Sequence, residues 1–127
     1  MTAAETYFRF WGQFGIPVSE EGAVLNAAPP GYPCLVCRYG EGTGDGDAVK
    51  LTASLWVRSP GWRQAKELSD RIGEALPAGG VFLPADGGGL WLLRGRPWAV
   101  WSGDGEDPSL RRVLFRVTVR HYRGGTA

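Results

Sequence analysis

From Val49 to Arg58 apolar and polar residues alternate without a break. Val49, Leu51, Ala53, Leu55 and Val57 fall on one face, and Lys50, Thr52, Ser54, Trp56 and Arg58 on the other. That period belongs to a strand buried on one side. Ser59-Pro60 follows, a hydroxyl suited to cap a helix and a proline suited to its first position. Trp62, Ala65, Leu68, Ile72, Ala75 and Leu76 then recur at helical spacing, until Pro77 and Gly79-Gly80 end the run. A strand leading into an amphipathic helix builds a surface and carries no reaction chemistry, which points to an assembly part rather than an enzyme.

The same pattern places the other elements. Thr2-x-x-Glu5 has the form of a capping box, and Tyr7, Phe10, Trp11 and Phe14 follow at i, i+3, i+4 and i+7. A short helix with an aromatic stripe is expected, packed on the core or, alternatively, docked on a neighbouring subunit. Gly12, Gly15 and Pro17 end it, and a connector containing Pro29-Pro30-Gly31 comes next. Tyr32 to Tyr39 reads as a strand that returns through a glycine-rich hairpin loop, Glu41 to Asp47. Val81 to Leu83, Leu90 to Arg94 and Trp98 to Trp101 read as short strands, with a turn at Asp86 to Gly89 and a link at Gly95-Arg96-Pro97. The longest strand, Leu110 to Tyr122, buries Val113, Phe115, Val117 and Val119 and sets Arg112, Arg116 and Arg120 on its other face. At strand rise those arginines stand about 13 Å apart.

The expected fold class is therefore α+β: a mainly antiparallel β-sheet flanked by an N-terminal helix and one central amphipathic helix. One domain is expected over 1–127, with helix and connector in 1–17, sheet and central helix in 32–122, and a flexible tail at 123–127. No apolar run approaches the length needed to span a bilayer, and the first residues lack a basic-then-apolar signal, so no membrane partner is expected.

The net charge of +1 is too small for a general polyanion binder. Its distribution is less even. Acids concentrate in two loops, one with Glu41, Asp45 and Asp47 and one with Asp104, Glu106 and Asp107, whereas the chain from Pro108 onward has five arginines and no acid. The six tryptophans and the arginines belong to the residue types that anchor interfaces. The arginine row admits three readings: a solvated strand face, contact with acidic loops of a neighbouring copy, or contact with nucleic acid. The small net charge favours the second, on which reversing Arg116 to Glu weakens assembly.

Candidate chemistry is sparse. Cys34-x-x-Cys37 lies inside a strand, where residues three apart face opposite ways, and not at a helix N-terminus that would activate a thiol. With His121 as the sole histidine and no further cysteine, the pair lacks the ligands of a zinc site. The 41–47 loop lacks the closing Glu of a calcium loop. Gly87 to Gly89 precede a strand and not a phosphate-binding helix. Catalytic residues, cofactors and metals are expected to be none.

Five stretches together resemble a known family. They are Phe10-Trp11 with Phe14-Gly15-Ile16-Pro17-Val18, Gly31-Tyr32-Pro33, Leu51 to Ser59 with Trp62, Asp86 to Trp91 with Arg94-Gly95-Arg96-Pro97-Trp98, and Leu110 to Val119. In order and spacing, over roughly residues 8 to 122, the chain resembles small prophage-encoded tail terminator proteins, also called tail completion or minor capsid proteins, of tailed phages infecting Gram-positive bacteria. Cys34 and Cys37 depart from the aromatic or β-branched residues expected at their positions. The resemblance implies a non-enzymatic virion protein at the head–tail junction, made in the bacterial host cytoplasm. It implies a homo-oligomeric ring, most often a hexamer, that ends polymerisation of the tail tube and joins a head-completion or connector protein. DNA would pass as cargo. On this reading Arg112, Arg116 and Arg120 line a subunit interface or the lumen, and the two acidic loops contact a neighbour or the tube. A head-closure protein and, from a different class, a small nucleic-acid-binding module are the alternatives.

Overall fold

The computed structural model describes residues 1–21, 31–42, 44, 47–103 and 105–123. Helix α1 (Ala3–Gly12) begins with the expected capping box: Thr2 Oγ1 accepts from the Glu5 N–H, and the Glu5 carboxylate accepts from the Thr2 N–H. Its aromatic stripe turns inward. Tyr7, Phe10, Trp11 and Phe14 are buried, and the Trp11 ring tilts against Phe115 of the sheet. The stripe is therefore core and unavailable for docking a neighbour.

Among the described residues six strands form one sheet in the order β1-β2-β3-β6-β5-β4. They are β1 (Val18–Glu20), β2 (Cys34–Cys37), β3 (Ala48–Arg58), β4 (Val81–Ala85), β5 (Gly88–Gly103) and β6 (Leu110–Arg123), with helix α2 (Arg63–Ala75) between β3 and β4. All pairings are antiparallel except β1 with β2. At the centre β3 runs its whole length against β6, from Ala48 opposite Arg120 to Arg58 opposite Leu110. The apolar phase of both strands faces one way. Leu51, Ala53, Leu55 and Val57 join Val113, Phe115, Val117 and Val119 in one core with the buried faces of α1 and α2.

Both helices thus cover the same side of the sheet. They are tied there by arginines that satisfy carbonyls a helix end leaves open. Arg71 donates to Phe14 O (3.0 Å), and Arg94 of β5 donates to Leu76 O (2.6 Å) and Gly73 O (2.9 Å) at the end of α2.

Several elements differ from the sequence expectation. The central helix starts at Arg63, with Trp62 in the cap position and no side-chain cap, whereas Ser59 Oγ only accepts a 3.4 Å bond from Gly61 N–H. The backbone needs the Ser59–Trp62 bend to turn from sheet to helix. Strand β2 is shorter than Tyr32 to Tyr39. The two strands expected on either side of Gly95-Arg96-Pro97 are one strand, β5, whose pairing to β6 shifts register between Arg94 and Ala99. Strand β1, the three residues that follow Pro17, was not anticipated, because three residues hold no period. The Gly124–Ala127 tail lies outside the described residues, as do Pro29 and Pro30.

Removing the inward stripe should be costly and removing an outward aromatic should not. Trp11→Ala is expected to lower unfolding free energy by about 3–5 kcal/mol, and Phe82→Ala, 46% exposed, by about 0.5 kcal/mol. Urea titration of both variants checks this, and a reversed order would place the aromatic stripe outside the core.

Candidate functional site

With both helices on one side, no described element covers the other face of the sheet. Along β3 it presents Lys50, Thr52, Ser54 and Trp56, and along β6 Arg112, Leu114, Arg116, Thr118 and Arg120. Strands β3, β5 and β6 contain no aspartate or glutamate, while β6 alone holds five arginines. The near-neutral net charge therefore hides a segregation, with basic strands at the centre and acids in loops, helices and the edge strand β1.

The row expected from spacing is on this face, but its members do different things. Arg112 is half-buried: its guanidinium donates to Ser54 Oγ (3.1 and 2.8 Å) and lies 5.2 Å from the Trp56 ring centroid. Arg116 is exposed beside a groove. Arg120 is exposed opposite Trp91 and has a partner of its own within the subunit. The row is a sequence of one packed and two exposed cations.

Residues missed by sequence reading complete the groove. Between Arg94, opposite Val117, and Ala99, opposite Phe115, residues Gly95 to Trp98 bulge from the ladder beside Arg116. A bulge re-aims side chains. Trp98 packs on Phe115 with ring centroids 4.9 Å apart, whereas Arg96 is exposed. Lys50, Arg96 and Arg116 line one groove of about 610 Å³, with Thr52 and Thr118. Glycine is required at position 95, since a Cβ there would lie 2.8 Å from the carbonyl carbon and oxygen of Arg116. The signal was present as Gly95-Arg96-Pro97, but reading it as a turn between separate strands hid which residue it would face.

The tryptophan–arginine content is largely consumed within the subunit. Arg58 stacks on Tyr32, Arg94 on Trp98 and Arg111 on Trp62, with guanidinium-to-centroid distances of 4.8–5.0 Å. The large aromatics still exposed are Phe82, Trp91, Trp101 and Tyr122. Phe82 and Trp91 stack at 6.1 Å on the bare face near the β4 edge.

The described members of the acidic loops are also engaged. Arg58 Nη1 donates to Asp107 Oδ2 (2.6 Å), and Ser109 donates its N–H (3.0 Å) and hydroxyl (2.7 Å) to Asp107 Oδ1. The Ser109 hydroxyl, and next the Arg58 guanidinium, hold the Asp107 carboxyl below its usual range. Asp47 Oδ2 accepts from the Gly44 N–H (2.6 Å). Glu106 is exposed and has a partner within the subunit. Asp45 and Asp104 lie outside the described residues.

Glu41 belongs to a small cluster. Tyr39 Oη donates to Glu41 Oε1 (2.9 Å) and lies 3.2 Å from His121 Nε2. With the phenol proton directed at the carboxylate, the Tyr39 oxygen is open to a donor at His121 Nε2, while Nδ1 is buried without a partner among the described residues. Burial, and then the bond to Glu41, raise the Tyr39 pKa. His121 is on the apolar side with Val119, as its spacing suggested, and the cluster pins the start of the acidic loop to β6.

Compared with known proteins, the chain matches no family model and no curated protein. Among solved structures it superposes on a chain from the virion of a native gene transfer agent particle, with a TM-score of 0.53 and 21% identity, over 88% of this chain and 81% of that one. The two share a fold.

On that shared fold the thiols are structural. Cys37 is fully buried in the core and burial pushes its thiol up to about 12. Cys34 points to the opposite side, against Trp56 and Tyr32, and is raised by burial too. Among the described residues no three His, Cys, Asp or Glu side chains gather as a metal site requires.

Two outcomes are expected. Both thiols should alkylate slowly near pH 8 in the folded protein and fast in denaturant, by mass spectrometry against time; rapid modification of the folded chain near neutral pH would reinstate redox chemistry. Because the folded pKa of Asp107 is lowered, its stabilising contribution is present above the unfolded value of about 4 and is lost as pH falls through the folded one. The difference in melting temperature between wild type and Asp107→Asn should therefore close toward about pH 2. A gap unchanged there would mean that charge is not what Asp107 contributes.

Proposed function

We propose that this chain is a structural virion protein, not an enzyme, that assembles with copies of itself into a ring at the head-proximal end of a phage-like tail. The observation that carries the reading is the fold shared along 88% of the chain with a component of a gene transfer agent virion. The sequence resemblance to tail terminators supports the finer assignment: a ring, most often of six, that ends tail-tube polymerisation and meets a head-completion protein, with DNA as passing cargo. The division of the surface supports it as well. A head-to-tail ring needs two different faces on each subunit, and this subunit has central strands without an acid and acid-bearing loops. On this reading Arg112, Arg116 and Arg120 form a lumen-facing or inter-subunit row. Glu41, Asp45, Asp47, Asp104, Glu106 and Asp107 border the contact with a neighbour or the tube.

Light scattering behind size exclusion, over a concentration series and at two salt levels, tests it. A closed oligomer of several subunits, alone or on addition of polymerised tail-tube protein, is expected, and it should loosen as salt rises. A mass that stays monomeric both alone and on the tube would remove the ring.

A further inference from the structure

We propose that the groove of Lys50, Arg96 and Arg116 is a binding site for the phosphate backbone of double-stranded DNA, read without regard to sequence. The inference concerns what one subunit's sheet face binds and stands apart from ring closure.

The first argument is electrostatic. Lys50, Arg96 and Arg116 are exposed around one groove, and none forms an ion pair with a described residue. Like charges held together by the backbone repel one another. Gly95 and the bulge keep the backbone of Arg96 beside Arg116, so the three cations stay gathered around one groove. The arrangement is favourable when an external anion occupies the groove.

The second argument selects the anion. The lining combines two guanidinium forks and an ammonium with the hydroxyl-bearing Thr52 and Thr118, the side-chain types that most often contact phosphate oxygens. An acidic loop of a second copy is the competing occupant. The described members of those loops already have partners within their own subunit: Asp107 on Arg58 and Ser109, Asp47 on Gly44, Glu41 on Tyr39. Docking them here would break those contacts. The groove also lies among three strands without an acid, so a polyanion passing across it meets no repulsive side chain of β3, β5 or β6.

The third argument selects the duplex. No aromatic residue lines the groove. Proteins that hold single strands supply rings on which bases stack, and here bases would find none. A double helix, with its bases turned inward and two rails of phosphate outward, asks only for the cations.

Fluorescence anisotropy with a labelled duplex of about 20 base pairs, its matched single strand and a scrambled duplex tests the proposal. Three phosphate contacts give a slope of log affinity on log salt near −2.7, so binding should fall about 40-fold from about 50 to about 200 mM salt. Arg96→Ala with Arg116→Ala should flatten the slope by about 2, and Lys50→Ala alone by about 1, with circular dichroism unchanged because all three side chains are exposed. Both duplexes should bind alike. Absence of duplex binding at about 50 mM salt, an unchanged slope in the double variant, or tighter binding of the single strand would each overturn the proposal. Light scattering on Lys50→Ala with Arg96→Ala, both outside the arginine row assigned to the ring, separates it from the ring. Variants that lose DNA but keep the wild-type mass support the groove. Variants that lose mass but keep DNA assign the groove to a protein neighbour and overturn it.

Discussion

Everything in this fold follows from the full-length pairing of β3 with β6. These two strands each alternate apolar and polar side chains, and their register, Leu51 opposite Val117 and Leu55 opposite Val113, puts both apolar phases on one side. A slip by one residue would turn the buried set of one strand into water. With the register fixed, there is one apolar sheet face, and both amphipathic helices must bury their stripes against it. The opposite face is left to Lys50, Thr52, Trp56, Arg116 and Thr118, which need no cover.

The charge segregation is a consequence of that one-sided packing. Near the helices, arginine is used as a structural residue: Arg71 and Arg94 satisfy open carbonyls, and Arg111 covers the Trp62 ring. On the bare face Arg112 lies down on Trp56 and Ser54. What remains free to meet a partner is a small part of the arginine content, and backbone geometry gathers it. A molecule close to electrical neutrality thus presents a local field that its net charge of +1 conceals.

Much of this was legible in the sequence because it was periodic. The α+β class, the inward faces of Leu51 to Val57 and Val113 to Val119, the capping box at Thr2 and Glu5 and the side on which His121 lies all follow from spacing. The start of α2 was not legible, since Ser59-Pro60 satisfies a cap rule locally while the chain spends residues 59–62 on the bend from sheet to helix. Strand β1 was too short to carry a pattern. The candidate surface was half legible. Period alone put Arg112, Arg116 and Arg120 on one face, but the loss of Arg112 to Trp56 depends on the pairing of β6 with β3, and the gain of Arg96 on a register shift between β5 and β6. Such a shift is a property of a pair, and one strand's pattern does not encode it. The acidic loops stood out by composition, whereas the pairing of Asp107 with Arg58 of β3 and the approach of His121 of β6 to Tyr39 join residues distant in sequence.

The interrupted ladder of β5 also divides that strand into two halves with separate anchors. Leu90 and Leu92 are held by β6 on one side of the interruption, and Ala99 and Trp101 on the other. Neither half relies on the four intervening residues for its alignment. Within that stretch Gly95 lies against the Arg116 backbone and Trp98 packs on Phe115, so a change of length there would disturb both contacts. Arg96, exposed between them, is the position at which what the groove grips can change by substitution while the core contacts of its neighbours stay as they are.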